Sequence, residues 1–152
     1  MLFIAVDSHQ KSMNISLKEL NVTRPNLRSL VKAQLGLAVL SLEVLKTQAE
    51  HEKGFMFRDP PESNFGLLFI YPQPRALGFW MKNVSFDLDL IALNSQGLVA
   101  QIERLKAFDT KTVTIRFPCD RVIEVPAGFC AQNNVRLGSQ LIMSTSFLQM
   151  EG

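Results

Sequence analysis

The sequence predicts a mainly β domain, an antiparallel β-sandwich or flattened barrel with one or two short helices. Two observations lead there. About eight short segments are either continuously apolar or alternate apolar with polar residues, and turn signals separate them roughly every 8–12 residues. No repeat, low-complexity tract or linker composition follows residue 34, so the chain of 152 residues reads as an extension over 1–34 and one β domain over 35–148.

Each element has a local reason. In the extension, Leu27, Leu30 and Val31 fall at helical spacing, which predicts a short helix over Asn26–Gln34. Met13 offers an alternative start for the chain. From Gly36 the period changes to two: Leu40, Leu42 and Val44 alternate with Ser41 and Glu43. Thr47 followed by Glu50 is a capping-box pattern, so a short helix is expected through Ala49–Lys53, closed by Gly54 in a left-handed conformation. Leu67–Tyr71 is a run short enough for a fully buried strand, and Gly78–Asn83 follows after a Pro-rich turn. Asn94-Ser95-Gln96-Gly97 marks a hairpin between Leu88–Leu93 and Leu98–Arg104. Strands are then expected at Thr112–Phe117, Arg121–Val125 and Gln140–Ser144, with a helical turn at Cys130–Asn133.

Composition narrows the function. Hydrophobic content of 47% and charged content of 20% are ordinary for a globular protein. The net charge is +2, with 16 basic and 14 acidic residues spread along the chain and no Lys/Arg run to follow a phosphate backbone, so nucleic acid is not an expected partner. The apolar start Met1–Val6 meets Asp7 too early for a signal sequence, and Leu35–Leu45 is interrupted and too short to span a bilayer. A cytoplasmic location without a membrane span is the expectation. Cys119 and Cys130 form neither a CxxC pair nor a disulfide framework, and whether they pair is left open.

Several motifs occur in a fixed order: Gly54-Phe55-Met56-Phe57-Arg58, Gly66-Leu67-Leu68-Phe69, Phe79-Trp80-Met81-Lys82-Asn83, Leu88-Asp89, Gly97 and Glu124-Val125-Pro126-Ala127-Gly128. In these the chain resembles the DUF192 family, also called UPF0127, small proteins without an established activity, over roughly residues 36–144. The resemblance implies a compact β-rich domain of jelly-roll-like character and no particular reaction. The sequence departs from the family pattern at Leu67, where a Met is usual, and at His51, where an Arg is usual. It departs again at Phe86-Asp87, in place of Ile-Pro, and at Gly138-Ser139, in place of Gly-Asp.

The candidate site centres on Phe79–Asn83, which holds the only Trp. On an extended segment Phe79, Met81 and Asn83 share one face and Trp80 and Lys82 the other. Trp80 is then a stacking platform beside a cation that holds an anionic or carbohydrate-like ligand. The plainer reading makes Trp80 core, pairs Lys82 with Asp89 or Glu124, and has Asn83 capping a turn. Asp87 and Asp89, two apart, form an acid–base or cation-binding pair on one reading, and a solvated loop residue with a salt-bridge partner on the other. Arg58 and Glu124 are singled out because they match the family motif. Arg58 either clamps a ligand carboxylate or pairs with Asp59 or Glu62, and strand alternation turns Glu124 to the exposed face. Cys119, Cys130, His9, His51, Met56 and Met81 fit no metal-binding spacing, and no cofactor is implied.

The leading expectation is a binding or accessory module for a small polar or anionic ligand, its site drawn from Arg58, Trp80, Lys82, Asn83, Asp89 and Glu124. The alternatives are an acid–base enzyme using Asp89 and Lys82, or a purely structural or protein-interaction module.

Overall fold

The computed structural model describes residues 30–144, so Met13, His9 and the rest of the extension before Leu30 lie outside the described part. Nine strands and two short helices run in the order β1 (Leu30–Leu35), β2 (Ala38–Leu45), α1 (Gln48–Lys53), β3 (Phe65–Arg75), β4 (Gly78–Phe79), β5 (Leu88–Leu93), β6 (Val99–Leu105), β7 (Val113–Thr114), β8 (Cys119–Pro126), α2 (Phe129–Gln132) and β9 (Ile142–Met143). Seven strands form one curled sheet in the order β6-β5-β8-β3-β2-β1-β9, while β4 and β7 pair as a separate ribbon.

The sheet curls far enough for its two edges to meet at one end. Leu141 N donates to the Gly97 carbonyl, Gly138 N to that of Val99, and Val99 N to that of Ser139. The result is a half-barrel seamed between the start of β6 and the approach to β9. Further along β6, the Gln101 carboxamide completes the edge as a backbone would. It donates to the Thr114 carbonyl (3.1 Å) and accepts from Arg116 N (2.9 Å).

Each face of the sheet buries its own core. On one face Leu40, Leu42, Leu68, Ile91 and Ile123 pack with Phe129 and Cys130 of α2. On the other, Leu67, Phe69, Leu90 and Val122 are covered by Phe55 after α1 and by the β4–β7 ribbon with Leu77, Phe79 and Met81. A strand apolar on both sides reads as a continuous run, and β5 is buried at every position. Gly66 belongs to this tight layering, since a Cβ there would come within 2.7 Å of the Glu124 carbonyl on β8.

The β-rich half-barrel agrees with the expected class, and four details differ. Residues 30–35 are a strand rather than part of a helix: Val31, Ala33 and Leu35 are buried while their alternate neighbours are exposed, a period of two. The sheet is not wholly antiparallel, because β2 and β3 run parallel with α1 in the crossover between them. The strand expected over Gly78–Asn83 stops at Phe79, where Met81 N turns to the Asp109 carbonyl (2.7 Å) and Asn83 takes a positive φ of 60°. The strand expected over Thr112–Phe117 pairs only at Val113–Thr114. The capping box is present as expected: Glu50 N donates to Thr47 Oγ1 (3.2 Å) and Thr47 N to Glu50 Oε1 (2.9 Å).

Candidate functional site

Helix α1 is short and buries no residue of its own, so its caps fix its position. Gly54 ends it at φ +45°, with its N–H on the Glu50 carbonyl (3.0 Å). A Cβ at Gly54 would lie 3.4 Å from the Phe69 ring and 3.8 Å from Glu124 Oε2. Those are ordinary contacts, so it is the positive φ, which glycine adopts without strain, that lets the chain turn down onto β3 and β8. Beneath it opens a cleft of about 600 Å³, with Phe55, Phe69 and Phe79 as apolar walls. Glu124, Tyr71 and His51 supply its inner polar groups, and Lys53 and Arg75 stand at the rim.

Glu124 decides the character of this cleft. Alternation does turn it away from Ile123 and Val125, but the face it meets is the second core rather than solvent. It is only 5% exposed, which overturns the expectation of a surface glutamate. No hydrogen bond or ion pair reaches its carboxylate among the described residues, and burial pushes its pKa up to about 8. Beside it, burial pushes the Tyr71 hydroxyl up to about 12, so the phenol stays protonated and able to donate. His51 Nε2 donates to the Leu45 carbonyl (2.8 Å), and its ring packs 4.2 Å from that of Tyr71.

The structure separates the other sequence-derived candidates. Trp80 is 45% exposed, so it is not core; it borders the cleft, and Lys82 Nζ rests 5.3 Å above its ring. Lys82 is exposed and pairs with neither Asp89 nor Glu124. Trp80, Lys82 and Asn83 line a second recess of about 490 Å³ that shares Trp80, Met56 and Lys53 with the main cleft. The turn holding them is strained: Phe57, Asn83 and Phe108 all have positive φ, and Phe57 N and Phe108 N donate to the carbonyls of Asn83 and Val84.

Asp89 and Arg58 are elsewhere. Asp89 is buried on the opposite face, accepting from Arg104 Nε (2.8 Å), Gly128 N (3.2 Å) and Cys130 N (3.0 Å). That full set holds α2 against the sheet and rules out the arrangement in which Lys82 and Asp89 act together. Arg58 pairs with Glu43 rather than with Asp59 or Glu62, and borders neither recess. Asp87 is half-buried, accepting from Ala107 N (2.8 Å) with Lys106 at 3.8 Å, and forms no pair with Asp89. Cys119 and Cys130 are free and lie in different cores; burial pushes the Cys130 thiol up to about 12. Among the described residues no three His, Cys, Asp or Glu side chains gather as metal ligands.

The sequence motifs converge on the cleft: Gly54 and Phe55 from the first, Phe69 from the second, Phe79 and Trp80 from the third, Glu124 from the last. The model of DUF192, described as Uncharacterized ACR, matches residues 30–143. The chain belongs to the DUF192 family. Among curated proteins none matches. Two solved structures resemble this DUF192 protein. One, from Sinorhizobium meliloti and described as a proposed transcription regulator, is 26% identical with a TM-score of 0.72, covering 75% of this chain and 93% of that one. The other, a protein of unknown function from Novosphingobium aromaticivorans, is 26% identical with a TM-score of 0.70, covering 74% of this chain and 84% of that one. Within the DUF192 chain no helix among the described residues is long and apolar enough to cross a membrane.

Proposed function

We propose that this DUF192 protein is a small-molecule binding module whose site is the cleft under α1. The observation that carries this reading is Glu124: a buried carboxyl without a partner, facing a concavity of ligand size. No fully buried side-chain oxygen or nitrogen is left unpaired among the described residues, so the unpaired Glu124 oxygens open on the cleft, where a ligand's N–H groups can reach them. Aromatic walls supply contact area, while Glu124, Tyr71 and His51 supply orientation. The site anticipated around Trp80, Lys82 and Asn83 becomes the outer flank of this cleft, and Asp89 becomes a fold-stabilising residue. A regulatory role, the description attached to the Sinorhizobium meliloti structure, is compatible with a ligand-sensing module; the even charge mix offers no basic stripe for DNA.

A thermal-shift screen against metabolites tests the reading, with Ala76→Phe as the control. Ala76 is exposed at the mouth of the cleft, so a phenyl group there fills the entrance without touching the core. Compounds that stabilise the wild type and not Ala76→Phe support the site. Stabilisation that is equal in both proteins places binding elsewhere and overturns it.

A further inference from the structure

We propose that the cleft takes a zwitterionic small molecule with an apolar body, seated with its ammonium group on Glu124 and its acidic group at Lys53 and Arg75. This deepens, and rests on, the reading of the cleft as a ligand site. A buried carboxylate is best satisfied by a cation rich in N–H donors. The chain does this for its other buried carboxylate, giving Asp89 a guanidinium and two backbone N–H groups. Glu124 receives none of these, although Lys53 and Arg75 border the same cleft. Both cations stand exposed at the rim, with Arg75 laid 5.6 Å from the Tyr71 ring centre. The cleft therefore offers an acid at its floor, the flexible cations Lys53 and Arg75 beside Glu52 at its rim, and the rings of Phe55, Phe69 and Phe79 as walls. A molecule matching that set carries an amine and an acid on neighbouring atoms, with an apolar side group against the rings.

The proton balance gives the arrangement a signature. The Glu124 carboxyl, with its pKa near 8, is largely protonated at neutral pH. Seating an ammonium there releases the carboxyl proton to solvent, so affinity rises as pH approaches 8. The titratable and charged groups that line the cleft with Glu124 are Lys46 from the turn before α1, His51, Glu52 and Lys53 from α1, and Tyr71 and Arg75 from β3. From β5, the facing residue is Leu90. Glu124→Gln isolates the contribution of this carboxyl.

The test uses L-phenylalanine, phenethylamine and hydrocinnamate as zwitterionic, cationic and anionic probes of similar size. The full chain is titrated calorimetrically and by the fluorescence of Trp80, its only tryptophan. L-phenylalanine is expected to bind tightest, phenethylamine about tenfold more weakly and hydrocinnamate least. The affinity for L-phenylalanine should rise up to about tenfold per unit between about pH 6 and about pH 8. Glu124→Gln should lose about tenfold or more for both amines and flatten that slope. Lys53→Ala/Arg75→Ala, altering only exposed side chains, should erase the preference for L-phenylalanine over phenethylamine while keeping the pH slope. Equal binding of hydrocinnamate and L-phenylalanine, or unchanged amine affinity in Glu124→Gln, overturns the proposal. If none of the probes binds while a neutral sugar or nucleoside stabilises the wild type and not Ala76→Phe, the zwitterion is wrong and the cleft reading stands. If no compound distinguishes the wild type from Ala76→Phe, both fall.

Discussion

Asp89 and Glu124 are neighbours with opposite fates. They sit on paired strands, Asp89 opposite Val125 and Glu124 opposite Leu90, so adjacent rungs send the two carboxylates to opposite faces of one sheet. Both are buried, Asp89 to 3% and Glu124 to 5% exposure. On the Asp89 face the chain brings Arg104 from β6 and the first N–H groups of α2, and the charge becomes a tie between sheet and helix. On the Glu124 face it brings aromatic rings, a glycine and open space next to the carboxyl, and the cations of the cleft make no ion pair with it. Burial alone therefore does not distinguish the two acids. What sets Glu124 apart is burial together with an absent partner.

The contrast can be broken by mutation, beginning with the larger effect. Asp89→Ala strips two N–H groups of their acceptor and should cost about 3 kcal/mol in urea unfolding, the half-exposed Arg104 adding little. Glu124 should behave oppositely. Its folded pKa lies above the ordinary carboxyl value, so its contribution to stability is fully present below that value and lost as pH rises through about 8. Wild-type stability should fall by up to about 1.4 kcal/mol per pH unit within that window. Glu124→Gln should flatten the fall and be the more stable protein at its alkaline end, as followed by unfolding across pH. A wild type with no slope would remove the distinction between the two carboxylates.

Smaller effects sharpen the boundary of the site. Thr47→Ala removes the cap that holds α1 over Glu124 and should cost about 1 kcal/mol, with faster amide exchange in α1 than in β8. Lys82→Ala loses only an exposed cation above Trp80 and should change stability by less than about 0.5 kcal/mol. A large loss from Lys82→Ala would restore the structural role that its exposure denies.

Local chemistry was legible in the sequence where it was self-contained. The capping box at Thr47 and Glu50, the hairpin at Asn94–Gly97 and the alternation around Leu40–Val44 depend on near neighbours, and the structure has all three. The parallel pairing of β2 with β3 was not legible, because periodicity carries no strand direction. Residues 30–35 misled because Leu30 and Val31 stand at helical spacing from Leu27, whereas the strand's buried set is Val31, Ala33 and Leu35. At the site, the motif led to Trp80 and Glu124, but alternation alone set Glu124 on a solvent face; only the ribbon and α1 folding over that face bury it. Tyr71 and His51 were missed as site residues. His51 did leave a trace, since it stands where the family pattern has an Arg, and the structure puts that departure against the cleft.

The closure along β6 has a consequence for the protein in a crowded solution. An open edge strand invites pairing with another chain, which is the usual route to edge-to-edge aggregation and strand exchange. Here the start of β6 is sewn to residues 138–141, and the Gln101 amide occupies the groups that a foreign strand would seek at 114–116. The seam joins segments some forty residues apart in sequence, so closing it costs more chain entropy than closing a hairpin. Its value is then quarantine: a chain that has completed its half-barrel withdraws this edge from its neighbours, whereas one that has not still offers it.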